Sequence, residues 1–410
     1  MKRTFLSLFL FLSINSYCQF QVDTINIFTN DLVYDSFTDR IYVSMPSANG
    51  ANGNSIGIIN SGNHTLENTV FMGSEPGVLA ISDDGLYIYA GFNTSSLIRR
   101  FLVIPQLADL QFSLGNDPFT GPYFAEDIEV MPGQSTTIAV SRKNAGFSPR
   151  HEGVVVYDND TMRPIVTPGH TGANKIEFMN DSTLLGYNNE TTEFGIRKFA
   201  ITQAGIYQTS VTQNVMNGFS HNFIYHNNKM YADDGKNVDV TSTPLLVGQF
   251  TNVNGPAVYD QVLNLVCYAS YNFNGNISFK RYNPTTFINT TNFPVNQVNG
   301  VVKSIITCGN GCYAFNTDST VVILKDPNAG VDFVSSENKI LAYPNPTKQF
   351  LFFSSTADIN NLLLTDLNGM ALNVNLHNNR LDLGDLARGF YLISFSDKYQ
   401  NVYRQKILKN

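Results

Sequence analysis

The chain has 410 residues, of which only 14% are charged, with no tryptophan, 30 glycines and a formal net charge of −7. That length can bury a sizeable core in two domains, or in one large repeat domain with an appendage; the acidic balance argues against nucleic acid or an anionic membrane as partner. Plentiful Asn, Thr, Gly and Tyr suit many short strands joined by polar turns, so the predicted class is all-β.

The first residues, MKRTFLSLFLFLSINSYCQ, carry a basic start, an apolar run from Phe5 to Ile14, and then small or polar residues. This is the pattern of a secretory signal peptide over residues 1–18. Ser16 and Cys18 stand at −3 and −1 of a cleavage before Gln19, where small side chains are needed. A lipid anchor on Cys18 is the alternative, but Asn15 and Tyr17 occupy positions where a lipobox has an aliphatic and a small residue. No later stretch offers the ~20 consecutive apolar residues of a spanning helix, so no transmembrane segment is expected.

From Leu32 onward one pattern recurs. Its clearest copy is VLAISDDGLYIYAG, Val78 to Gly91: an apolar strand, a tight turn at Ser82-Asp83-Asp84-Gly85, and a second strand rich in Tyr and Ile. Six further hairpins share this grammar, beginning at Leu32, Ile128, Ile176, Phe223, Ala257 and Ser304. Most start about 45–50 residues apart, the period of a four-stranded propeller blade. The fifth repeat is shorter, about 34 residues, which predicts trimmed outer strands. A third strand and a Thr-rich fourth follow in most repeats. The last repeat lacks its fourth strand before Asn328, whereas VDTINIFTN, residues 22–30, is a strand with no repeat of its own. Pairing the two closes the ring and removes two open sheet edges. Residues 19–328 are therefore expected to form a seven-bladed β-propeller.

The hairpins at Asp35 to Val43 and Ser82 to Gly91 resemble those of the YVTN and quinoprotein-like propellers, which include surface-layer and periplasmic proteins. The resemblance covers roughly residues 22–328 and implies the fold rather than any activity.

Loop lengths suggest where function lies. The turns inside the hairpins are short, whereas several connections on the opposite, top face are long and rich in Asn and Gly, beginning at Pro46, Arg142, Asn188 and Tyr271. Long loops on a rigid scaffold are common binding elements. The lead-ins to the first strands, near the channel mouth on that face, present Glu75, Glu126 with Asp127, Lys175, and His221 with Asn222. Such a set could orient a polar ligand or coordinate a cation; alternatively these residues simply line a water-filled channel. His151 is expected in a long loop, and His64 as a turn or surface residue. No G-x-S-x-G, H-E-x-x-H, EF-hand or P-loop spacing is present, and no cofactor is implied. The expected role is binding an extracellular glycan, protein or small molecule through the top face. The competing expectation is an enzyme, a lactonase, lyase or glycan-acting hydrolase, using Glu75, Glu126 and His221.

Cys308 and Cys312 flank Gly309-Asn310-Gly311, a three-residue hairpin loop that puts them within reach of a disulfide in an oxidising compartment, two free thiols being the alternative. Cys267, in VLNLVCYAS, is most simply a buried small hydrophobe.

Residues 329–339 are small and polar and are expected to be a linker. From Ile340 the texture changes to that of a small Ig-like β-sandwich. It carries Tyr343-Pro344-Asn345-Pro346, a TDLNG turn ending at Gly369, an L-x-x-G-x-Y running through Gly389 to Tyr391, and a basic KILKN end. Together these resemble the type A C-terminal sorting domain of the type IX secretion system. The resemblance implies that residues 340–410 direct export across the outer membrane by that machinery, with the protein ending on the cell surface or in the medium.

Overall fold

The computed structural model describes residues 20–170, 172–327, 342–353, 359–366, 370–374, 376–377, 380–396 and 402–410. The expected signal peptide, the linker and Gly369 lie outside the described residues.

Between Gln21 and Lys325 the chain forms seven four-stranded antiparallel sheets. Each apolar run of the repeat becomes a strand, because alternating residues on a pleated strand let one set pack against the sheet before and the other against the sheet after. The second strands carry the largest buried rings, including Tyr42, Tyr89, Tyr187, Tyr268 and Tyr313. Their seven innermost strands are Leu32–Asp35, Pro76–Ile81, Phe124–Val130, Lys175–Asn180, Phe223–His226, Ala257–Asp260 and Ile305–Thr307. Each touches the next, and the seventh touches the first, so the ring is closed.

The outer strand of the seventh sheet comes from the other end of the chain. Gln21–Ile25 pairs antiparallel with Val321–Lys325, Gln21 opposite Lys325 and Ile25 opposite Val321. It is shorter than the run 22–30, since residues beyond Ile25 turn inward toward the first sheet. His64, expected as an ordinary turn residue, is largely buried and holds this strand through an Nδ1–Asp23 contact of 2.8 Å. The fifth sheet has strands of four or five residues throughout, Phe223–His226 to Leu245–Gln249. Its shortening is spread over all four strands rather than confined to the outer ones. In the third sheet the fourth strand shrinks to Thr161–Met162.

Neighbouring sheets are fastened by a recurring device near the channel mouth. Ser44 Oγ, on a second strand, donates to Gly77 O of the next sheet at 2.6 Å, and Ser141 Oγ donates to Ala173 O at 2.7 Å. Asn316 Nδ2 donates instead to a side chain, Thr29 Oγ1 at 3.0 Å, tying the seventh sheet to the link that leads into the first. One layer inward, Asp31 Oδ2 accepts from Leu79 N and Asp127 Oδ2 from Ile176 N, both at 2.9 Å. These contacts satisfy backbone groups that would otherwise be orphaned where strands start.

Cys308 and Cys312 are joined by a disulfide across the last hairpin turn, and Cys267 is buried and free. Beside them Arg281 pairs with Asp326 at 2.6 Å, both about one-tenth exposed, and stands over the rings of Phe20 and Tyr313. Replacing Asp326 with Ala leaves this guanidinium buried without its counter-charge. Breaking a buried pair this way costs about 3–5 kcal/mol, so urea unfolding of D326A should show a clearly lowered midpoint with an unchanged slope.

The C-terminal part is a sandwich of two four-stranded sheets around Leu351, Phe353, Leu364, Leu381, Ile393 and Ile407. Pro344 and Pro346 bracket Asn345, whose Nδ2 donates to Lys406 O at 2.6 Å and whose Oδ1 accepts from Leu408 N at 2.8 Å. Gly389, at φ 155°, opens the strand Gly389–Ser396, and Tyr391 Oη donates back to Ala387 O at 2.7 Å. The tail's motif residues are thus positions that tie the start of this segment to its last strand and lock a corner of the sandwich.

Candidate functional site

In an antiparallel propeller sheet, connections after the second and fourth strands emerge on one face and the hairpin turns on the other. The hairpin turns here run from two residues, Asn227 and Asn228, to six, 131–136. The other face carries 46–54, which winds into a short 3-10 turn at Ser47–Asn52, and the connections 114–123, 144–150, 163–174, 188–195 and 213–222. The connection 114–123 contains a miniature hairpin, Asn116–Asp117 paired with Gly121–Pro122, which the repeat pattern does not foretell.

Five of these connections are stitched into one band. Asn144 Nδ2 donates to Thr120 Oγ1 at 2.5 Å, and Phe147 lies against the His170 imidazole with ring centres 4.5 Å apart. Arg150 Nε meets Glu190 Oε1 at 2.7 Å, and Asn174 donates to the same carboxylate at 3.2 Å. Asn189 Nδ2 donates to His221 O at 2.8 Å, and Phe194 meets Phe219 edge-on at 4.9 Å. Each contact crosses from one connection to another, so the band behaves as a single surface rather than as separate flexible loops.

The four residues singled out from the sequence divide into one pair and two separate positions. Glu126 and Lys175 lie together: Lys175 Nζ donates to Glu126 O at 3.4 Å and stands 3.8 Å from Asp127 Oδ1, while Glu126 Oε2 is held by Lys143 Nζ at 2.8 Å. Glu75 instead caps the loop 46–54, its Oε1 accepting from Ser47 N at 3.2 Å. His221 pairs with Asp233, Nδ1 to Oδ1 at 2.5 Å, at the rim of a cavity of about 100 Å3 that includes Asn222, Tyr231, Asp233 and Lys303. Gly218, at φ 142°, lies so close under this imidazole that any side chain there would collide with it. No hydrogen bond or ion pair among the described residues joins Glu75 or His221 to Glu126 or Lys175.

The channel wall below holds a group that the sequence pattern did not single out. Glu129 and Glu177 sit on the adjacent innermost strands Phe124–Val130 and Lys175–Asn180. Burial raises both carboxyls well above their usual range, and Glu129 is pushed further by Glu177, Asp127 and Asp31. Asp127 is itself pushed up by burial, to about 6, against the pull of Lys175. Burial opposes ionisation of Glu126 too, but Lys175 and Lys143 outweigh it and hold this carboxyl below its ordinary value. The wall thus sets two carboxyls that burial makes reluctant to ionise beside Lys175, whose charge Asp127 and Glu126 stabilise against burial. Among the described residues no group of three or more His, Cys, Asp or Glu has the arrangement to hold a metal ion. Period-two alternation could have exposed Glu129 and Glu177 as channel-facing; their mutual proximity required the ring.

His151 is not a loop residue: it opens the strand His151–Asp158 and is fully enclosed. Burial, followed by Arg197 and Arg142, pushes its imidazole down to about 3, so it stays neutral beneath the band. His221 behaves in the opposite way. The hydrogen bond to Asp233 raises it above the ordinary imidazole range, against a smaller downward effect of burial. Its charged form is favoured in the folded state, so the contact contributes fully below about pH 6.5 and is lost as pH rises through the raised value. Proteolysis within 213–222 should therefore quicken as pH rises above about 6.5, and His221→Gln should flatten that dependence. An unchanged profile in the variant would place the control elsewhere.

Comparison with known proteins separates the two parts of the chain. Residues 341–410 match the family described as the secretion system C-terminal sorting domain, Por_Secre_tail. No curated protein matches the chain. Among solved structures, hydrazine synthase of Kuenenia stuttgartiensis is similar with a TM-score of 0.56 and 11% identity, over 74% of this chain and 96% of that one. The β-propeller domain of Cps50 (Swd1) from Myceliophteria thermophila is similar with a TM-score of 0.57 and 10% identity, over 75% of this chain and 99% of that one. Identities this low speak to the fold alone. The chain is thus a β-propeller carrying, at residues 341–410, a type IX secretion C-terminal sorting domain.

Proposed function

We propose that the propeller, residues 19–328, is an exported binding module that engages an extracellular ligand or partner through its top face. In this reading residues 1–18 serve as the signal peptide that carries the chain through the inner membrane, and the sorting domain directs the second crossing and delivery to the surface or the medium. The observation that supports it is the stitched band: long connections from successive sheets, cross-linked to one another, opposite a face made only of short turns. Rigid, elaborated loops on one side of a scaffold are the arrangement that presents a binding surface at low ordering cost.

The test is a face-by-face comparison in the full chain. Serine substitutions at exposed top positions, Phe147 and Phe219, should weaken retention on immobilised extracellular polysaccharide or protein fractions. Serine at the exposed turn residues Val262 and Leu263, on the opposite face, should leave retention unchanged. Loss confined to the Val262 and Leu263 variants would overturn the assignment.

A further inference from the structure

Six phenylalanines of the described propeller are strongly exposed: Phe28, Phe71, Phe119, Phe147, Phe219 and Phe273. All six lie at the top face. Phe28 is in the link from the closing strand to the first sheet, Phe71 ends a fourth strand, and the others are in the top connections. Chance placement on a surface with two faces and a wide rim would scatter them. Phe119 caps the miniature hairpin at 94% exposure and Phe273 sits at the tip of the turn 272–275 with no neighbour against its ring.

Their surroundings are rich in hydrogen-bonding groups; beside Phe119 these include the Asp117 carboxylate, which accepts from Phe119 N at 2.8 Å. Exposed Asn272 and Asn274 flank Phe273, Asn217 and Ser220 flank Phe219, and Ser148 follows Phe147. Phe147 is backed by His170 and Phe219 by Phe194, leaving the opposite side of each ring open. Five cations of this face are paired with carboxylates, Lys143 with Glu126, Arg150 with Glu190, Lys175 with Asp127, Arg197 with Glu193 and Lys303 with Asp318, and Arg99 and Arg142 donate to backbone carbonyls. None of these is left to meet the phosphate or carboxylate of an anionic partner, and the net charge of −7 disfavours one further.

Resting on the binding reading above, we propose that the occupant of this face is a neutral polysaccharide. A pyranose ring has one face of weakly positive C–H groups and a rim of hydroxyls. The first complements the negative face of an aromatic ring, and the second complements the Asn and Ser side chains beside it. Rings distributed over the top ends of several sheets match a ligand whose units repeat. A protein partner would call for a contiguous desolvated centre, and a lipid surface for free cations.

The experiment is affinity electrophoresis of the full chain in gels containing dextran, laminarin or mannan, with alginate as the anionic control and neutral phosphatidylcholine vesicles as the apolar one. At least one neutral polysaccharide should retard the protein, with little dependence on salt. Phe119→Ala, Phe219→Ala and Phe273→Ala should each weaken that retardation roughly two- to tenfold, and the triple variant should abolish it. These side chains are exposed, so circular dichroism should be unchanged. No retardation by any neutral polysaccharide overturns the proposal. If the triple variant instead loses binding to alginate or vesicles, the glycan assignment fails while the binding face stands. If the triple variant keeps all the binding of the parent, this face is not the binding surface and both readings fall.

Discussion

Removing residues 20–25 should open the ring and unfold the propeller cooperatively. That segment supplies the whole outer strand of the seventh sheet, five residues in register with Val321–Lys325. It also brings Phe20 against Phe279 and Phe293, with ring centres 5.3 and 5.1 Å apart, and packs Val22 and Ile25 on neighbouring cores. Burying side chains of this kind stabilises by about 1.5–3 kcal/mol each, so the loss is roughly 5–10 kcal/mol, comparable to the whole stability of an ordinary domain. The strand Val321–Lys325 would then present unpaired backbone groups, an invitation to aggregation. The measurement is thermal unfolding and light scattering of the truncated chain beside Asp23→Ala, which removes the contact with His64 and the exposed hydrogen bond from Gln21 Nε2. Truncation should give aggregated protein, and D23A a folded protein with a modestly lower melting temperature. A truncated chain that melted like the parent would show that the ring does not depend on this strand.

Deleting residues 341–410 should abolish appearance of the protein outside the cell, with the propeller accumulating in the periplasm. The structure adds a finer expectation for Asn345. Its side chain makes two hydrogen bonds to the final strand, and the neighbouring Thr347 adds backbone contacts with Leu408 and Asn410 at 2.8 Å. Asn345→Ala removes the first two; both are exposed, so water can replace the lost partner and each costs about 0.5–1.5 kcal/mol. A sandwich of about 70 residues has little stability in reserve. Secretion of N345A should therefore fall several-fold while the propeller stays folded, read by immunoblotting culture medium against periplasm. Equal secretion of N345A and the parent would mean that the machinery reads the tail without needing this anchor. Secretion of the full deletion would refute the role of the tail itself.

Much of this architecture can be read along the chain because its units are local. A hairpin such as Val78 to Gly91 is specified by alternation and by a turn whose residues favour that turn chemically, and neither depends on distant contacts. Repetition of that unit about every 45–50 residues then implies the ring. The tail is legible because its motif residues each have a defined duty in a small sandwich: Gly389 and Tyr391 act locally, and Asn345 ties the start of the segment to residues 406 and 408. His151 shows the limit. Its neighbours Arg150 and Glu152 look like loop, yet the imidazole is enclosed by Gly172 and lies near Arg142 of its own sheet and Arg197 of the next, the last 46 positions away in sequence.

The candidate site divides along the same line. Sequence alone determined most strands, the period, the missing fourth strand and its replacement from the N-terminus, and the long connections after Met45, Lys143 and Tyr187; it did not show those at 114–123, 163–174 and 213–222, and the connection expected to be long after Tyr271 is only 272–275. Only the tertiary structure decided that Glu126 and Lys175 meet while Glu75 and His221 turn to separate partners. It also decided that Glu129 faces Glu177 across adjacent sheets, and that five connections join into one surface studded with exposed rings. The reason is physical. Strand and turn preferences act over a few residues, whereas side chains 40 to 50 positions apart become neighbours only when closure of the ring brings equivalent positions of successive sheets to the same height.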